Sequence, residues 1–415
     1  MREFDLIVIG GGPAGMMAAG TAARRGHNVA LLEKMEKLGR KLRITGKGRC
    51  NLTNSKPQAE ILEKVRANAD FFAHSLNEFS NLDTIEFFER NGLEINIERG
   101  SRVFPASGKA WDVADCLKDW IEESGVNVFC NSKVTAIERN GNIGFKLTVN
   151  EKSETWSYYC KKIIIATGGV SYPATGSTGD GYMFASKLGH NIEEVRPALV
   201  ALETDKKYLP ELKRLELKNV NLDLIIDGES IDERFGQMMF TEFGIDGPIV
   251  LQLSRQVVDA LIEERDVVLS LDLKPTLSKK TLQERIAREL PEISRGGMVK
   301  VLLEKMMPRP MIRPICSEAG VDPKLFVDKL TDEQKLALIN TMKDFRLKIT
   351  DYRPFEEAIV TAGGVDCSQV NPRTLESKIA KGIYFAGEVL DIDADTGGYN
   401  LQIAFSTGYV AGLLK

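Results

Sequence analysis

Apolar and polar stretches divide the start of the chain into a strand, a turn, a helix and a second strand. Residues 4–9 form a short apolar run that predicts a buried strand, and residues 14–25 predict a helix that ends at Gly26. Residues 28–32 are again apolar and predict the second strand. This order predicts a parallel βαβ unit with a right-handed crossover. Because glycines and a proline interrupt the uncharged run 6–23, we expect no membrane span here.

The pattern after this unit continues with amphipathic helices and alternating strands. Apolar residues recur at helical spacing in residues 84–92 and 111–125, and each segment ends at a glycine. Residues 126–140, 144–150 and 155–169 alternate as strands do. The third of these segments becomes uniformly apolar just before a Thr-Gly-Gly turn, which predicts a buried strand of the same parallel sheet.

A change of pattern after Pro197 indicates an insertion. Residues 198–273 carry several short β-patterned runs, whereas residues 274–349 are mainly helical and contain several prolines. From residue 350 the chain again shows short apolar strands followed by glycine-rich turns, as in the first region. We therefore predict a discontinuous domain formed by residues 1–197 and 350–415, interrupted by a β-rich domain and then a basic helical domain.

Composition excludes several classes of protein. The chain has 415 residues, of which 43% are hydrophobic, so it can build a large core and is not disordered. A net charge of −4 argues against a wholly basic nucleic-acid binder, although residues 274–349 carry sixteen Lys and Arg against ten Asp and Glu. The six cysteines form no C-x-x-C pair and the three histidines lie far apart, so we expect no metal site and a reduced, cytoplasmic chain.

The first turn fits the G-x-G-x-x-G pattern of dinucleotide-binding folds. Gly10 permits the tight turn, Gly12 allows a pyrophosphate to approach the backbone, and Gly15 allows close packing of helix and strand. Glu33 ends the second strand, where an acid binds ribose hydroxyls. The phosphates are expected at the N-terminus of the helix. Further residues expected to contact the cofactor in this region are Pro13, Ala14, Lys34 and Val134.

Two later segments favour FAD over NAD as the dinucleotide. The strand that ends at Ala166 is followed by Thr167, Gly168 and Gly169, a second fingerprint of two-dinucleotide-binding-type flavoproteins. A third fingerprint, GIYFAGE, delivers Gly387 and Glu388 to the ribityl region. A helix that begins near the end of the chain can direct its positive N-terminus at the flavin. The residues expected to contact the flavin there are Gly398, Tyr399, Asn400, Leu401 and Gln402.

Several longer motifs carry a family resemblance. The segments GRKLRITGKGRCNLTN, SRVFPASGKA, ATGGVSYPATGSTGDGY, TAGGV and AGEVLDIDADTGGYNLQIAFSTG together resemble the YhiN/BaiN-type flavoprotein family, also named aminoacetone-oxidase-family FAD-binding enzymes. The resemblance implies an α/β fold in which a Rossmann-like FAD domain is interrupted by a β-barrel-like domain and a helical domain. It also implies reduction of carbon–carbon double bonds, oxidation of amines, or formation of dihydrouridine in ribosomal RNA.

The segment from Gly39 to Asn51 is the most basic loop of the predicted cofactor domain. Five cations lie within ten residues. Exposed backbone N–H groups at its glycines favour a loop over the pyrophosphate and the flavin, whereas a solvated basic face is the alternative. The expected cofactor contacts from this loop are Arg40, Lys41, Gly48, Arg49, Cys50 and Asn51.

Three side chains are candidates for catalysis near the flavin. Cys50 lies in the basic loop, Cys367 follows a glycine-rich strand, and Tyr399 borders the last glycine turn. Either thiol could act as a proton donor or as a thiolate, and Tyr399 could protonate a substrate. Packing is the alternative for each of them.

The expected function is that of an FAD-dependent oxidoreductase that exchanges a hydride between flavin and an organic substrate. We predict reduction of an activated C=C bond with NAD(P)H, which would bind transiently because no second G-x-G-x-x-G follows a strand. The alternatives are a dihydrouridine synthase acting on ribosomal RNA, an aminoacetone-type amine oxidase, and a non-catalytic flavin redox sensor. The expected partner is thus a small molecule or ribosomal RNA, with no membrane and no metal. No oligomeric state is predicted.

Overall fold

The computed structural model describes residues 2–141, 144–152, 154–205, 207–293 and 296–415. The chain divides into two compact units. The first unit is made of Met1–Pro197 and Phe355–Lys415, and the inserted unit is Ala198–Pro354.

The helices and strands follow the predicted pattern closely at the start of the chain. In chain order, the strands are β1 (Arg2–Ile9), β2 (Val29–Leu32), β3 (Thr53–Asn54), β4 (Ile95–Glu98), β5 (Arg102–Pro105), β6 (Asn127–Phe129), β7 (Ser132–Asn140), β8 (Gly144–Glu151), β9 (Glu154–Ile165), β10 (Ile192–Ala198), β11 (Leu202–Thr204), β12 (Glu216–Ile226), β13 (Glu229–Phe240), β14 (Gly244–Asp246), β15 (Val267–Asp272), β16 (Phe345–Tyr352), β17 (Val360–Val365) and β18 (Ile383–Phe385). The helices are α1 (Pro13–Arg24), α2 (Thr45–Gly48), α3 (Gln58–Leu62), α4 (Ala69–Glu78), α5 (Asn81–Arg90), α6 (Ala110–Glu123), α7 (Asp180–Lys187), α8 (Leu209–Leu212), α9 (Pro248–Ile262), α10 (Lys279–Glu289), α11 (Val299–Glu304), α12 (Arg309–Glu318), α13 (Asp332–Lys343) and α14 (Tyr399–Gly412).

The first unit is built on a mixed sheet in the order β6-β2-β1-β9-β8-β7. Strand β1 pairs in parallel with β2 on one side and with β9 on the other. The long strand β9 pairs with β8 in antiparallel fashion through its first half, and with β18 in parallel through its last residues. This arrangement confirms the predicted βαβ unit and the Rossmann-like α/β fold. There are also two smaller sheets, one in which β10 pairs with β17 and one with the strand order β3-β5-β4.

Helices α1 and α14 pack against each other through glycines. A Cβ at Gly408 would lie 2.4 Å from the carbonyl oxygen of Ala14, and one at Gly412 would lie 2.5 Å from that of Ala18. Helix α1 is buried along nearly its whole length and is made largely of small residues. The two helices can therefore approach backbone to backbone beneath the sheet, which fixes the N-terminus of α1 where the site is built.

The inserted unit is a closed barrel with helices packed on it. Its strands follow the order β11-β14-β13-β12-β15-β16, and β16 closes the barrel by pairing with β11. The barrel-like domain and the helices predicted from the sequence are thus both present. Residues of the barrel and of the helices α10 to α13 share one hydrophobic core. No helix in the described ranges combines the length and apolar character that crossing a membrane requires.

Two features of the inserted unit differ from the predicted pattern. Helix α9 lies inside the segment that we predicted to be β-rich, because Pro248 follows Gly247 and apolar residues then recur at helical spacing. Strand β16 continues across the predicted boundary between residues 349 and 350, since its alternating side chains complete the barrel. The domain boundaries themselves stay a prediction.

Candidate functional site

The candidate site lies where parallel strands of the first unit end together. Ile9 pairs with Leu32 and with Ile165, and Ile165 also pairs with Phe385. The residues that follow these strands therefore meet at one edge of the sheet, which is where ligands bind in open α/β sheets. All three predicted fingerprints contribute to this edge, although they are separated by most of the chain.

The three glycines of the first turn occupy different surroundings. A Cβ at Gly10 would lie 2.5 Å from the carbonyl oxygen of Ala166, and one at Gly15 would lie 1.9 Å from that of Gly10. Gly10 also has φ +105°. In contrast, a Cβ at Gly12 would meet no described atom within 4 Å. The turn thus packs tightly on the protein side and leaves open space at Gly12, as the approach of a pyrophosphate requires.

The N-terminus of α1 is available to an anion. Gly12 is its N-cap residue and offers no side-chain hydrogen bond, while Pro13 begins the helix. The first N–H groups of a helix have no partner within the helix, and its dipole favours negative charge at this end. The open space at Gly12 and the uncapped N-terminus, with Ala14 and Gly15 in the first turn, fit the pyrophosphate of FAD.

Glu33 holds the turn through its side chain. Its carboxylate accepts hydrogen bonds from the N–H groups of Gly11 and Met35, each at 2.7 Å. Burial raises the pKa of Glu33, while these two hydrogen bonds oppose the rise. Each carboxylate oxygen can accept a further hydrogen bond, so the side chain can serve both the turn and a ribose hydroxyl.

A pocket beside Glu33 contains residues that the sequence did not assign. Lys34 donates a hydrogen bond to the carboxylate of Asp180 at 2.7 Å and another to the hydroxyl of Thr178. These partners lie in the glycine-rich segment 176–181, which belongs to a motif of the family resemblance but has no strand of its own before it, so no cofactor contact was predicted from it. The predicted residues that line the pocket are Gly10, Glu33, Lys34, Val134 and Thr167. The lining residues that sequence reasoning did not assign are Ile9, Leu32, Ser132, Lys133, Gly176, Asp180 and Phe184.

The cations of the basic loop are mostly paired with carboxylates of the chain itself. Lys47 is exposed and has a positive φ of 57°. The other four form ion pairs, which are Arg40 with Glu36, Lys41 with Glu388, Arg43 with Asp115 and Arg49 with Glu98. Arg49 also lies 4.4 Å from the ring of Phe104. Of these cations, Lys41 pairs with an acid of another fingerprint, Glu388. Direct contact of Arg40 and Arg49 with a cofactor stays a prediction.

Two buried polar atoms at the predicted cofactor positions have no partner among the described residues. These atoms are Oδ1 of Asn51 and Oγ1 of Thr167. Unpaired buried acceptors are costly, and a bound ligand can satisfy them. Gly48, Gly168 and Gly387, which were also predicted to contact the cofactor, all have positive φ, a backbone conformation that favours glycine. The two unpaired atoms also fit a polar cofactor.

The amide side chains at the start of α14 are engaged within the protein. The amide of Asn400 bonds to the backbone of Ala394, and the amide of Gln402 bonds to Thr53, Ser406 and Phe79. Gly398 is the N-cap residue with φ +96°. The N–H groups at this end of the helix can face a flavin edge, and contact of Leu401 and the other residues of this helix start with the cofactor stays a prediction.

The three candidate catalytic side chains are all buried. Burial raises the pKa of Cys50 to about 12 from its ordinary value of 9.0, and it also raises the pKa of Cys367. Burial likewise raises the pKa of Tyr399. Both thiols are therefore protonated at neutral pH, which disfavours the thiolate hypothesis. Their roles in catalysis stay predictions.

The raised pKa values predict protection of these thiols from alkylation. A rise from 9.0 to about 12 lowers the thiolate fraction of Cys50 about a thousandfold, so iodoacetamide at pH 7.5 should leave Cys50 and Cys367 unmodified. The partly exposed Cys130 should react first. Mass spectrometry of peptides measures the order, and denatured protein, in which all six react, is the control. Early labelling of Cys50 would contradict the burial argument.

The raised pKa of Cys50 also makes the stability of the protein depend on pH. The folded thiol of Cys50 stays protonated while the unfolded thiol ionises above about pH 9, so its contribution to stability should fall as the pH rises from about 9 to 12.

The comparisons with known proteins concern nearly the whole chain. The family model described as HI0933-like protein Rossmann domain matches residues 4–414. A 3-dehydro-bile acid delta(4,6)-reductase of Clostridium scindens is 31% identical over 407 residues, which are 98% of this chain and 97% of that protein. A ribosomal RNA dihydrouridine synthase of Escherichia coli is 30% identical over 411 residues, covering 99% of this chain and 97% of that protein.

Solved structures support the fold. The 3-ketosteroid-delta4-(5alpha)-dehydrogenase of Rhodococcus jostii has a TM-score of 0.54 at 15% identity, covering 100% of this chain and 96% of its own. The 3-ketosteroid delta1-dehydrogenase of Sterolibacterium denitrificans has a TM-score of 0.56 at 12% identity, covering 100% and 99%. At these identities the likeness concerns the fold alone. From the family match and the fitted cofactor site together, the chain belongs to the HI0933-like Rossmann-domain family and is an FAD-dependent oxidoreductase.

Proposed function

We propose that this protein reduces an activated C=C bond of an organic substrate with NAD(P)H as the reductant. The observation that supports the proposal is the edge of the central sheet, where the residues after β1, β9 and β18 meet and the turn at Gly12 leaves open space. The Clostridium scindens relative, a delta(4,6)-reductase similar over the whole chain, supports this type of reaction.

The chain's residues have binding, orienting and proton-transfer roles in this proposal. Bound FAD supplies the two-electron step at flavin N5. The C=C bond of the substrate gains one hydride and one proton, and NAD(P)H is oxidised to NAD(P)⁺. Tyr399 at the start of α14 is our proposed proton donor, because a phenol keeps its proton at neutral pH; burial raises its pKa further and makes it a weaker acid. The neutral thiol of Cys50 contributes packing rather than a nucleophile.

Anaerobic reoxidation of the reduced enzyme tests this proposal. The flavin absorbance of enzyme reduced photochemically should return when a 3-oxo bile acid with 4,6-double bonds is added, because a conjugated C=C accepts hydride. The saturated 3-oxo bile acid is the matched control and should leave the flavin reduced. Aminoacetone in aerobic buffer tests the amine oxidase alternative. Turnover of aminoacetone without reoxidation by the dienone would overturn the proposed reaction. Turnover of neither compound would also overturn it and would leave the dihydrouridine synthase and the redox sensor as the alternatives.

A dihydrouridine synthase acting on ribosomal RNA is the second candidate. The Escherichia coli relative and the basic charge of residues 274–349 favour it. The exposed cations Lys279, Lys280 and Arg288 all lie on α10. Arg285 on the same helix is engaged instead with the carbonyl oxygen of Lys305 at 2.9 Å. We therefore expect Arg285 to contribute less to an RNA surface than the other three.

Neutralising these three cations tests the RNA surface. If they bind phosphates, replacing Lys279, Lys280 and Arg288 with glutamine should weaken binding to ribosomal RNA and reduce the logarithmic salt slope by about 0.7–0.9 for each phosphate that is no longer neutralised. FAD content should stay unchanged. Filter binding at several salt concentrations measures the slope, and glutamine at Lys118 and Lys161 of the first unit gives a charge control. An unaltered slope in the triple variant would exclude α10 as the recruiting surface.

A further inference from the structure

The Lys41 side chain belongs to a polar network that joins distant parts of the first unit. Its Nζ atom donates hydrogen bonds to Oε1 and Oε2 of Glu388, at 3.1 and 2.9 Å, and to Oγ of Ser171 at 2.5 Å. Lys41 lies in the basic loop, whereas Glu388 follows β18 and Ser171 follows β9. The Lys41 and Glu388 side chains are about one fifth exposed, so their charges are partly removed from water.

The two oxygens of Glu388 are not equally occupied. Oε1 accepts hydrogen bonds from the N–H group of Thr361 at 2.8 Å, from Oγ of Ser171 at 3.0 Å and from Lys41. Within the described residues, Oε2 accepts a hydrogen bond from Lys41 alone, at 2.9 Å. A carboxylate oxygen accepts about two hydrogen bonds. The protein therefore fills Oε1 and leaves a lone pair on Oε2 for a ligand.

Thr361 ties the same network to the second fingerprint. Its Oγ1 atom accepts hydrogen bonds from the N–H groups of Val170 and Ser171 at 2.9 and 3.0 Å. A Cβ at Gly169 would lie 2.4 Å from that oxygen, so the glycine is needed for this contact. The turn after β9 and the acid after β18 are thus held by one set of hydrogen bonds, and Lys41 is the cation in that set.

We propose that Lys41 is a positioning residue that acts on the cofactor through Glu388. It compensates the charge of that carboxylate and holds Oε2 toward a hydroxyl of the ribityl chain. Lys41 does not itself bind the pyrophosphate or the flavin in this arrangement. The inference depends on the assignment of FAD and is independent of which substrate the enzyme reduces.

A double-mutant cycle on FAD affinity tests this role. Apoprotein is titrated with FAD and the dissociation constant is measured by flavin fluorescence, with no substrate present. We expect Lys41→Met to raise the constant roughly tenfold to a hundredfold, because it leaves a partly buried carboxylate without its cation. In Glu388→Gln protein the same change should raise it less than about threefold, since the group through which Lys41 acts is already neutral. Lys41→Arg should recover most of the affinity.

Further variants distinguish a positioning role from direct binding of the cofactor and from a purely structural role. Lys161→Met removes another lysine that bonds to a carboxylate of the first unit at 2.8 Å, and it should leave the FAD constant unchanged. If Lys41→Met weakened FAD binding by the same factor in the parent protein and in Glu388→Gln protein, Lys41 would contact the cofactor directly. That result would overturn the proposal. A lower melting temperature of the apoprotein with unaltered FAD affinity would mean a purely structural role and would also overturn it. Should Lys41→Met not fold, Ser171→Ala replaces it in the cycle, with the same coupling expected.

Discussion

Gly15→Ala should cost the protein its FAD and about 3 kcal/mol of its unfolding free energy, the upper part of the range for overpacked sites. The added Cβ would lie 1.9 Å from the carbonyl oxygen of Gly10, which is a backbone atom of the turn and cannot rotate away. Helix α1 would have to shift from the strand edge, and the space at the pyrophosphate position would change with it. Urea unfolding of the apoprotein and FAD content after purification measure the two effects.

Gly12→Ala is the matched control for this prediction. A methyl group at Gly12 meets no described atom within 4 Å, and the extended backbone there, with φ −79° and ψ −178°, suits alanine. The apoprotein should therefore lose no more than about 1 kcal/mol of stability, the typical disadvantage of alanine against a favoured N-cap residue. FAD should nevertheless bind more weakly, since the methyl group occupies the approach of the pyrophosphate. Full FAD retention by Gly15→Ala would contradict our account of the turn.

Gly398→Ala is expected to have the second large effect, on the flavin end of the site. Its backbone has φ +96°, and a Cβ there would lie 2.5 Å from both the carbonyl carbon and oxygen of Thr53. The strained conformation costs about 1–2 kcal/mol and the collision adds about 1–3 kcal/mol. Because α14 begins at the next residue, we expect weakened FAD binding together with the loss of stability.

Gly92→Ala isolates the conformational part of that cost. Gly92 has a similar φ of +84°, but a Cβ there meets nothing within 4 Å. Its replacement should destabilise the protein by only about 1–2 kcal/mol and leave FAD bound. Chemical unfolding of both variants, with FAD titration of each, measures the difference. Equal losses of stability at the two positions would show that contact with Thr53 is unimportant.

The parts of the fold that could be predicted are those whose pattern lies within a short stretch of sequence. The turn at Gly10 and the acid at Glu33 lie within one βαβ unit, where the order of elements fixes the pairing of strands. The second and third fingerprints were recognisable because strands that end in glycine turns carry a local pattern. Parallel pairing then brings their ends to one edge, as with Ile165 and Phe385.

The parts that were not predictable depend on tertiary pairing. No local pattern indicates that Asp180 meets Lys34, or that the cations of the basic loop are compensated by distant acids such as Glu98 and Asp115. Strand β16 alternates clearly, but its membership of the barrel depends on pairing with β11, far earlier in the chain. Helix α9 was hidden for a different reason, because strands surround it in sequence and its apolar residues merged with theirs.

Each inserted segment is flanked by two strands that pair with each other. Strands β10 and β17 pair on either side of the inserted unit, and Leu271 of β15 pairs with Phe345 of β16 on either side of its helices. During synthesis, however, β18 follows β9 only after the ribosome has made the whole insertion, which takes on the order of ten to forty seconds. The central sheet has an open edge for that time. Folding of the insertion brings β10 and β17 together and so shortens the loop that must close. If Glu388 and α14 hold FAD as predicted, capture of the cofactor is among the last steps in the maturation of the chain.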